Sequence, residues 1–450
     1  MPTTSSALLR RTRDHAMSRT CCTVLLAAFV LAPLTLAPLG AASLPDTTVP
    51  LSCGIQVKGH NSTAEDFTAI KQLGIAYIRR GFNWEGVEKE KGVYDFTTLD
   101  QVVAEAQEHG LTVLGCLAFG NKLYAPVTTD EGRAAYATYA ATVVGHFRGK
   151  VAMWELWNEP NVRTFWGKHG KANSPQYAEE YTALVKAAVP AMRAAVPDCT
   201  ILAGSVSCFG WNATDPWMET CFRSGMLSSG IDGWTAHPYS LKRPEDYGAA
   251  YANARALMAK YGTVLPILNS ERGYPIGKEL EGFAGVASSD KSDQYQFQAW
   301  HFVRQYMNDL MNDVRLTSWY EWSGVGDEVG FSLHNASKEL PIATACKVML
   351  AELSGYKFRQ RLPLASPEDY ALLFTSAAGG RKLVAWTAPA PGKKPDEAVV
   401  HAVSIACDAT GALKTVALMG EAGSAAAVDG AVPLTLSGAP QYVTLTTAQQ

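Results

Sequence analysis

The sequence has no excess of basic residues. Its 39 Lys and Arg residues are set against 42 Asp and Glu residues, which gives a formal net charge of −3. Nucleic acids and anionic lipid surfaces attract clustered positive charge, so neither is an expected partner. The chain also lacks the spacings of zinc ligands, the His-x-x-x-His pattern and a glycine-rich phosphate loop. We therefore predict neither a metal site nor a bound cofactor.

Cysteines are too few and too irregularly spaced to form a disulfide framework. Two of the nine, Cys21 and Cys22, lie in an N-terminal stretch that we assign to a signal segment, which leaves seven. An odd number at irregular spacings does not define a set of bridges. Cys208 and Cys221 flank a short loop, and in an exported protein they are the candidates for a single disulfide.

The first 42 residues have the composition of a secretory signal peptide. Four arginines precede an apolar run from Cys22 to Leu39, and small residues at positions 40–42 resemble a cleavage site. We expect cleavage before Ser43 and a secreted or periplasmic protein with no stable membrane association afterwards. The alternative is an uncleaved anchor, because the apolar run approaches the length that spans a bilayer, although Pro33 and Pro38 interrupt it.

Composition and periodicity predict a large α/β protein. With 47% hydrophobic residues in 450, the chain can fill a sizeable core. Between residues 50 and 354, eight apolar strand-like runs alternate with helical patterns, which favours a (β/α)8 TIM barrel over an open doubly wound sheet. From residue 355 to 450, short runs separated by turn residues predict a small C-terminal antiparallel β domain, similar to a sandwich. The predicted barrel strands are 54–57, 75–79, 111–117, 151–157, 200–203, 233–236, 264–269 and 316–320.

Glu159 follows the fourth predicted strand. This strand is apolar apart from Glu155, and Pro160 ends it because proline cannot donate to the strand ladder. Groups at the carboxyl ends of barrel strands surround a common cleft, so Glu159 is a candidate catalytic residue. The alternative is that residues 158–160 form an ordinary polar turn.

A second glutamate, Glu271, follows the seventh predicted strand. Glu159 and Glu271 are therefore expected to face each other across the mouth of the barrel. Glycosidic cleavage requires two facing carboxyl groups, because one protonates the leaving oxygen while the other attacks the sugar or activates water. This pair predicts an enzyme, a glycosidase, whose partner is a carbohydrate substrate.

These motifs resemble those of the clan-A retaining glycoside hydrolases, most nearly their family 39-like and family 5-like branches. The resemblance covers residues 50–350 and depends on the stretches 79–84, 92–96, 157–161 and 236–239 together with Glu88 and Glu271. It implies that Glu159 is the acid/base and Glu271 the nucleophile. It also implies that Asn158 binds the sugar 2-hydroxyl and that Arg79, His237 and Tyr239 line the nucleophile's side.

Arg79 has a physical reason to lie near the nucleophile. Its charge, together with the Tyr239 hydroxyl, would lower the pKa of Glu271 and keep that carboxylate ionised. Two alternatives remain at this point. In the first, neighbouring Arg80 lies near the nucleophile instead of Arg79, since adjacent strand residues point to opposite faces. In the second, Arg79 forms a buried ion pair with Glu155.

Four tryptophans are candidates for stacking on sugars. The resemblance implies that a Trp of strand eight lies under the sugar in the cleavage subsite, and Trp319 and Trp322 compete for that position. Trp84 and Trp166 follow strands two and four, where they would either stack on substrate or only fill the core.

The predicted function is an exported retaining glycoside hydrolase that cleaves O-glycosidic bonds of a poly- or oligosaccharide by double displacement. A rival interpretation is a non-catalytic carbohydrate-binding protein on a degenerate barrel, although decay of function would be expected to remove Glu159 or Glu271 first. Within enzymes, the alternative is a xylosidase or uronidase specificity. The sequence does not define an oligomeric state.

Overall fold

Eight parallel strands close into a barrel in chain order, with the last strand next to the first. The structure is a computed structural model and describes residues 44–167, 169–239, 243–277, 291–393 and 397–446. The strands are β1 (Cys53–Val57), β2 (Tyr77–Asn83), β3 (Thr112–Ala118), β4 (Met153–Leu156), β5 (Thr200–Ser207), β6 (Gly233–His237), β7 (Ile267–Arg272) and β8 (Val314–Trp319). The predicted (β/α)8 fold is confirmed.

Helices alternate with the strands and bury one face each. They are α1 (Ala64–Leu73), α2 (Trp84–Val87), α3 (Thr97–Glu108), α4 (Asp130–His146), α5 (Arg163–Trp166), α6 (Pro175–Ala195), α7 (Asp215–Arg223), α8 (Tyr247–Lys260), α9 (Lys291–Met311) and α10 (Pro341–Leu353). Helix α6 shows how the sequence sets such a helix. The Ser174 hydroxyl accepts a hydrogen bond from the Tyr177 amide at 3.3 Å, and Pro175 occupies the first turn.

The barrel interior changes from apolar to polar toward the carboxyl ends of its strands. An apolar layer is formed by Leu114, Met153, Leu202, Leu268 and Leu316. Side chains alternate along a strand, so residues two positions later face the same way. The next inward positions are buried and mainly polar. They are occupied by Cys116, Glu155, Ser270 and Ser318, and by Gln56 of β1 and Arg79 of β2. Charged chemistry is thus concentrated at one end of the barrel.

The C-terminal region is antiparallel, as predicted. Six strands form one sheet in the order β14-β13-β16-β11-β10-β9, and β12 pairs with β15. Their bounds are β9 (Tyr356–Arg361), β10 (Asp369–Ser376), β11 (Arg381–Thr387), β12 (His401–Ala406), β13 (Ala412–Val416), β14 (Ala422–Ala426), β15 (Ala431–Leu436) and β16 (Gln441–Thr446). Buried Trp386 of β11 donates a hydrogen bond to Glu245 at 2.8 Å, which ties this sheet to the barrel. The predicted domain boundary falls between α10 and β9 and stays a prediction.

Two features expected of an exported protein are the signal segment and a disulfide. The proposed signal, residues 1–42, lies outside the described residues. None of the helices in the described part of the chain combines the length and apolar character that a bilayer crossing requires. The candidate disulfide is not formed in this structure, because Cys208 and Cys221 are both free thiols. The Cys221 thiol faces the Ala178 carbonyl at 3.8 Å, whereas that of Cys208 lies beside the Ser207 hydroxyl at 3.9 Å.

Candidate active site

Glu159 lies in the loop that leaves β4. Its backbone has a positive φ of 48°, and its amide donates a hydrogen bond to the Ser205 carbonyl at 3.1 Å. This contact turns the side chain across the top of the barrel, where Oε1 lies 2.9 Å from Nδ1 of His237. The Glu159 side chain is 11% exposed, so it is held by the protein and still reaches the surface of the cleft.

Glu271 lies on β7, opposite Glu159. Arg79 donates to its Oε2 at 3.0 Å, and the Tyr239 hydroxyl donates to its Oε1 at 3.0 Å. The side chain is 13% exposed. One oxygen of Glu159, one oxygen of Glu271 and a ring nitrogen of His237 all lie within 4.8 Å of one another. The structure therefore brings together the two carboxyl groups that the sequence placed on separate strands.

Arg79 connects this pair to the buried polar layer. Its guanidinium contacts Oε2 of Glu155 from both Nε and Nη2, at 2.8 and 2.7 Å, and it also donates to Asn158 Oδ1 at 2.8 Å. Burial raises the pKa of Glu155, but the charges of Arg79 and His237, together with hydrogen bonds from Ser270 and Thr235, hold that pKa below its usual range. Arg79 thus forms the ion pair with Glu155 and the contact with Glu271 at the same time. Arg79, not Arg80, makes the contact to Glu271.

His237 lies closer to Glu159 than to Glu271. Its Nδ1 is 2.9 Å from a Glu159 oxygen and 3.8 Å from a Glu271 oxygen. Its Nε2 lies 3.1 Å from both the Ser205 and Ser270 hydroxyls. Burial lowers the pKa of His237, while the charge of Glu271 and the hydrogen bond to Glu159 raise it to a net value above the usual range. The resemblance assigned His237 to the nucleophile's side, whereas its direct contact is with the proposed acid/base.

Two of the predicted stacking residues lie away from the glutamate pair. Trp84 is fully buried, stacks on Tyr139 at a centroid distance of 5.1 Å and donates to Glu88 at 2.5 Å. Trp322 is also fully buried and donates to Asp66 of α1 at 2.8 Å. Both side chains belong to the packing between barrel and helices, so their assignment to substrate binding is corrected.

Trp166 and Trp319 lie behind the site surface. Trp166 is buried and donates to Glu180 of α6 at 2.8 Å. Trp319 is buried, packs edge-on against Phe302 and donates to the Phe331 carbonyl at 3.0 Å. Neither indole presents an open face, which means that these two residues support the loops around the site and do not line it.

Tyr320 is a site residue that the sequence reasoning missed. It directly follows β8 and is partly exposed, and its hydroxyl accepts a hydrogen bond from Lys58 at 2.6 Å. Burial, a hydrogen bond to Glu328 and the nearby charge of Glu271 all raise its pKa above the usual range. Its position immediately after a barrel strand was the signal that could have identified it, but Trp319 and Trp322 were the residues predicted to bind the sugar. Tyr320 is the aromatic residue of this stretch that lies beside the nucleophile candidate.

The electrostatics of the cluster favour acid–base chemistry over metal binding. Glu159, His237 and Glu271 present three atoms that are close enough to share a cation. However, Arg79 already occupies one oxygen of Glu271 and Tyr239 the other. A divalent cation at this position would be repelled by the adjacent guanidinium. The residues present therefore fit a pair of hydrogen-bonded carboxyl groups better than a metal centre.

A (β/α)8 barrel that carries one glutamate beyond β4 and another on β7 has the architecture of the clan-A glycoside hydrolases. Comparison with known proteins agrees. The Glyco_hydro_42 beta-galactosidase family model matches residues 56–121. A beta-1,4-xylanase of Dictyoglomus thermophilum is 37% identical over 81 residues, which are 17% of this chain and 23% of that protein. Endo-1,4-beta-xylanase C of Phanerodontia chrysosporium is 29% identical over 150 residues, 32% of this chain and 35% of its own.

The similarity of structure extends much further than the similarity of sequence. A family 39 glycoside hydrolase from Bacteroides cellulosilyticus WH2 superposes with a TM-score of 0.69 at 20% identity, covering 90% of this chain and 82% of the other. A monomeric beta-xylosidase from Caulobacter crescentus CB15 gives a TM-score of 0.61 at 17% identity, covering 91% and 99%. The chain spans only about a quarter to a third of the curated relatives' length. The structural similarity shows the fold, and the sequence similarity to glycoside hydrolases is local.

Proposed function

We propose that this protein is a retaining glycoside hydrolase that cleaves O-glycosidic bonds of a poly- or oligosaccharide by double displacement. The observation that carries the proposal is the approach of Glu159 and Glu271, which bring two carboxylate oxygens within 4.8 Å of each other. Retaining pairs are about 5–5.5 Å apart, whereas inverting pairs are about 6.5–9.5 Å apart to leave room for water. The short separation supports direct attack by one carboxylate.

Glu271 is the proposed nucleophile. Arg79 and Tyr239 each donate a hydrogen bond to it at 3.0 Å. Both contacts place hydrogen-bond donors on the carboxylate that would attack the anomeric carbon. They also fix the direction of the carboxylate, so that a sugar bound in the cleft meets an oriented oxygen. The product of this step is a glycosyl ester on Glu271, and the aglycone leaves.

Glu159 is the proposed acid and base. In the first step it donates a proton to the leaving glycosidic oxygen, and in the second it takes a proton from the water that hydrolyses the glycosyl ester. His237 supports the change of Glu159 between its acid and base forms, because its Nδ1 lies 2.9 Å from a Glu159 oxygen. A protonated His237 donates to the ionised carboxylate. Asn158, which Arg79 orients through a 2.8 Å hydrogen bond, is the proposed partner of the sugar 2-hydroxyl.

For the substrate we propose a β-linked xylose polymer or oligomer. Two of the relatives named above are xylanases, and a structural neighbour is a beta-xylosidase. The neutral groups that contact the two glutamates and His237 include the hydroxyls of Tyr239 and Ser205. The charge of Arg79, which contacts Glu271, is compensated by Glu155. A panel of xylo-, gluco- and galacto-oligosaccharides, together with uronic-acid substrates, tests this choice. Hydrolysis confined to the other sugars would overturn the substrate assignment and leave the mechanism intact.

Export is also proposed, on the basis of the basic and apolar N-terminal stretch before Ser43. The mature protein is expected to begin near Ser43, in the medium or the periplasm. N-terminal sequencing of secreted material measures this directly. Recovery of a chain that begins at Met1 or Met17 only in membranes would support an anchor instead.

The mechanism is tested by removing each carboxyl group in turn. Glu271→Ala is expected to reduce turnover of every substrate by several orders of magnitude, because the nucleophile is lost. Glu159→Ala should spare substrates with good leaving groups, since an activated phenolate departs without a proton. Exposed Glu131 of α4 provides a matched control, and Glu131→Ala should leave turnover unchanged.

Azide and product stereochemistry provide independent measurements. Azide should partly restore both variants by entering the vacated space, and the glycosyl azides from the two should have opposite anomeric configurations. Proton NMR of the first product of the unmodified enzyme should show a retained anomeric centre. An inverted centre would refute the assignment of Glu271 as nucleophile.

A further inference from the structure

A small cavity lies between the barrel and the C-terminal region, and its lining is rich in hydrogen-bond donors. Arg243, Tyr274, His301, Arg304 and Lys393 contribute to its wall. Its volume is about 10 Å³, which is about the room that one water molecule needs. The cavity is too small for a sugar, so it is separate from the proposed substrate site.

The charged groups around this cavity are equal in number but unequal in burial. Arg243, Arg272 and Arg304 are all more than nine-tenths buried. Among the carboxylates that contact them, only Glu245 has a fully buried side chain, and it is held by Arg304 and Trp386. The others, Asp246 and Glu368, have side chains that are 36% and 22% exposed, and both contact Arg243. Lys393 is exposed and pairs with Glu397.

Arg272 has no carboxylate partner within the described residues. Its guanidinium donates to the Pro238 carbonyl and to Nε2 of His301 and lies 5.1 Å from the centre of the Tyr247 ring. Its buried Nε makes no hydrogen bond. A buried cation without a counter-charge is strongly destabilising, so a compensating negative charge is expected nearby.

Two neutral side chains carry donors into the same region. The Tyr274 hydroxyl is buried and has no hydrogen-bond partner among the residues that the structure describes. Its ring stacks on His301 at a centroid distance of 4.1 Å. Burial and the charges of Arg272 and Arg304 lower the pKa of His301 far below its usual range, so this imidazole is neutral. Because its Nε2 accepts from Arg272, the proton is on Nδ1, which makes Nδ1 another donor.

We propose that this cavity binds one small monovalent anion of the halide class, with chloride as the physiological candidate. The anion accepts a hydrogen bond from the Tyr274 hydroxyl and is attracted by Arg243 and Arg304, which line the cavity beside it. Its charge lies on the far side of the cavity-wall residue His301 from Arg272, whose Nη2 contacts His301, and it stabilises the packing of the C-terminal region on the barrel. The site is independent of the glycosidase proposal, since its ligand is neither substrate nor product.

Unfolding of the full chain measures this site without any activity assay. Urea unfolding is compared in sodium chloride, sodium bromide and sodium gluconate at equal ionic strength. Both halides should raise the unfolding midpoint in a saturable manner. At a halide concentration of 100 times Kd, the ratio of folded to unfolded protein should rise about 100-fold relative to gluconate. Bromide soaked into crystals should give an anomalous difference peak in the cavity.

Two matched variants test the assignment. Tyr274→Phe removes the donor and should weaken halide binding about tenfold or more, as expected for a lost hydrogen bond to a charged group. In the described part of the chain, Tyr442 also has a buried hydroxyl without a partner. It lies on β16 and not at this cavity, so Tyr442→Phe should leave the halide dependence unchanged. Equal midpoints in chloride and gluconate, with no bromide peak, would mean that the cavity holds only water and would overturn the proposal. A bromide peak without a halide-dependent midpoint would mean binding at crystal concentration only and would also overturn it.

Discussion

Arg79→Met should separate the structural and catalytic roles of the buried guanidinium. The substitution keeps a side chain of similar length but removes the charge that contacts Glu155 at 2.7 Å and Glu271 at 3.0 Å. Glu155 is 0% exposed and would become an uncompensated buried carboxylate. Breaking a buried pair from one side costs about 3–5 kcal/mol, out of a total stability of about 5–15 kcal/mol. The variant is therefore expected to fold and to be clearly less stable.

The loss should depend on pH and should be reversible by a second substitution. The pKa of Glu155 lies below its usual range in the folded protein, so its pairing stabilises the fold above the unfolded pKa and loses this effect as pH falls through the folded pKa. The difference between Arg79→Met and the unmodified protein should then be largest at neutral pH and shrink in acid. Adding Glu155→Gln removes the buried charge and should recover most of the lost free energy.

Catalysis should not recover with stability. The double variant still lacks the hydrogen bond from Arg79 to Glu271, and a charge-assisted hydrogen bond is worth about 1.5–3 kcal/mol, or roughly 10- to 100-fold in kcat/KM. Urea unfolding and kinetics on one substrate provide both quantities. Two results would refute this reasoning: a loss of less than about 1 kcal/mol in Arg79→Met, or a double variant that is no more stable than the single one.

Four further substitutions test other residues of the chain. Trp84→Phe should lower the free energy of unfolding by about 1–3 kcal/mol, because the hydrogen bond to buried Glu88 is lost, and should leave kcat/KM unchanged. Tyr320→Ala should lower kcat/KM roughly 3- to 10-fold and should have a smaller effect on the free energy of unfolding. The raised pKa of His237 stabilises the fold below pH 6.5, the unfolded value, and this contribution disappears as pH rises through the folded pKa. His237→Asn should therefore differ most from the unmodified protein in stability below pH 6.5, and a pH-independent difference would contradict this. Asp369→Ala in the C-terminal sheet should retain turnover, and a folded but inactive variant would show that this region takes part in catalysis.

Much of the barrel was predictable because its strands are buried on both faces. Such strands appear in the sequence as short apolar runs, and each of the eight predicted runs overlaps an observed strand. The ends were less accurate. Strand β2 was predicted to stop at Arg79 but continues to Asn83, because pairing with β3 extends as far as Asn83 opposite Ala118. The polar pair at positions 79–80 and Gly81 weaken the local signal, and only the neighbouring strand stabilises this segment.

The direction of the aromatic side chains was not predictable in the same way. A glutamate at a strand end is placed by the barrel itself, which is why Glu159 and Glu271 come together. A tryptophan beyond a strand end is placed by loop geometry and by the partner that its indole finds. Trp322 follows β8 by three residues and turns outward to Asp66, while Tyr320, one residue after the strand, remains beside the site. Sequence spacing alone does not distinguish these two outcomes.

The backbone around His237 carries a further signature of a functional site. Trp157, Glu159 and Ser205 have φ values of 71°, 48° and 46°, a region that costs about 1–3 kcal/mol for a residue other than glycine. Ser205 lies at an irregularity in the pairing of β5 with β6, which aims its carbonyl at the Glu159 amide and its hydroxyl at His237. A regular strand would satisfy the same backbone groups without this strain. The strain persists because the surrounding hydrogen bonds hold Glu159 and His237 in one arrangement, as the proposed role of Glu159 as a proton donor requires.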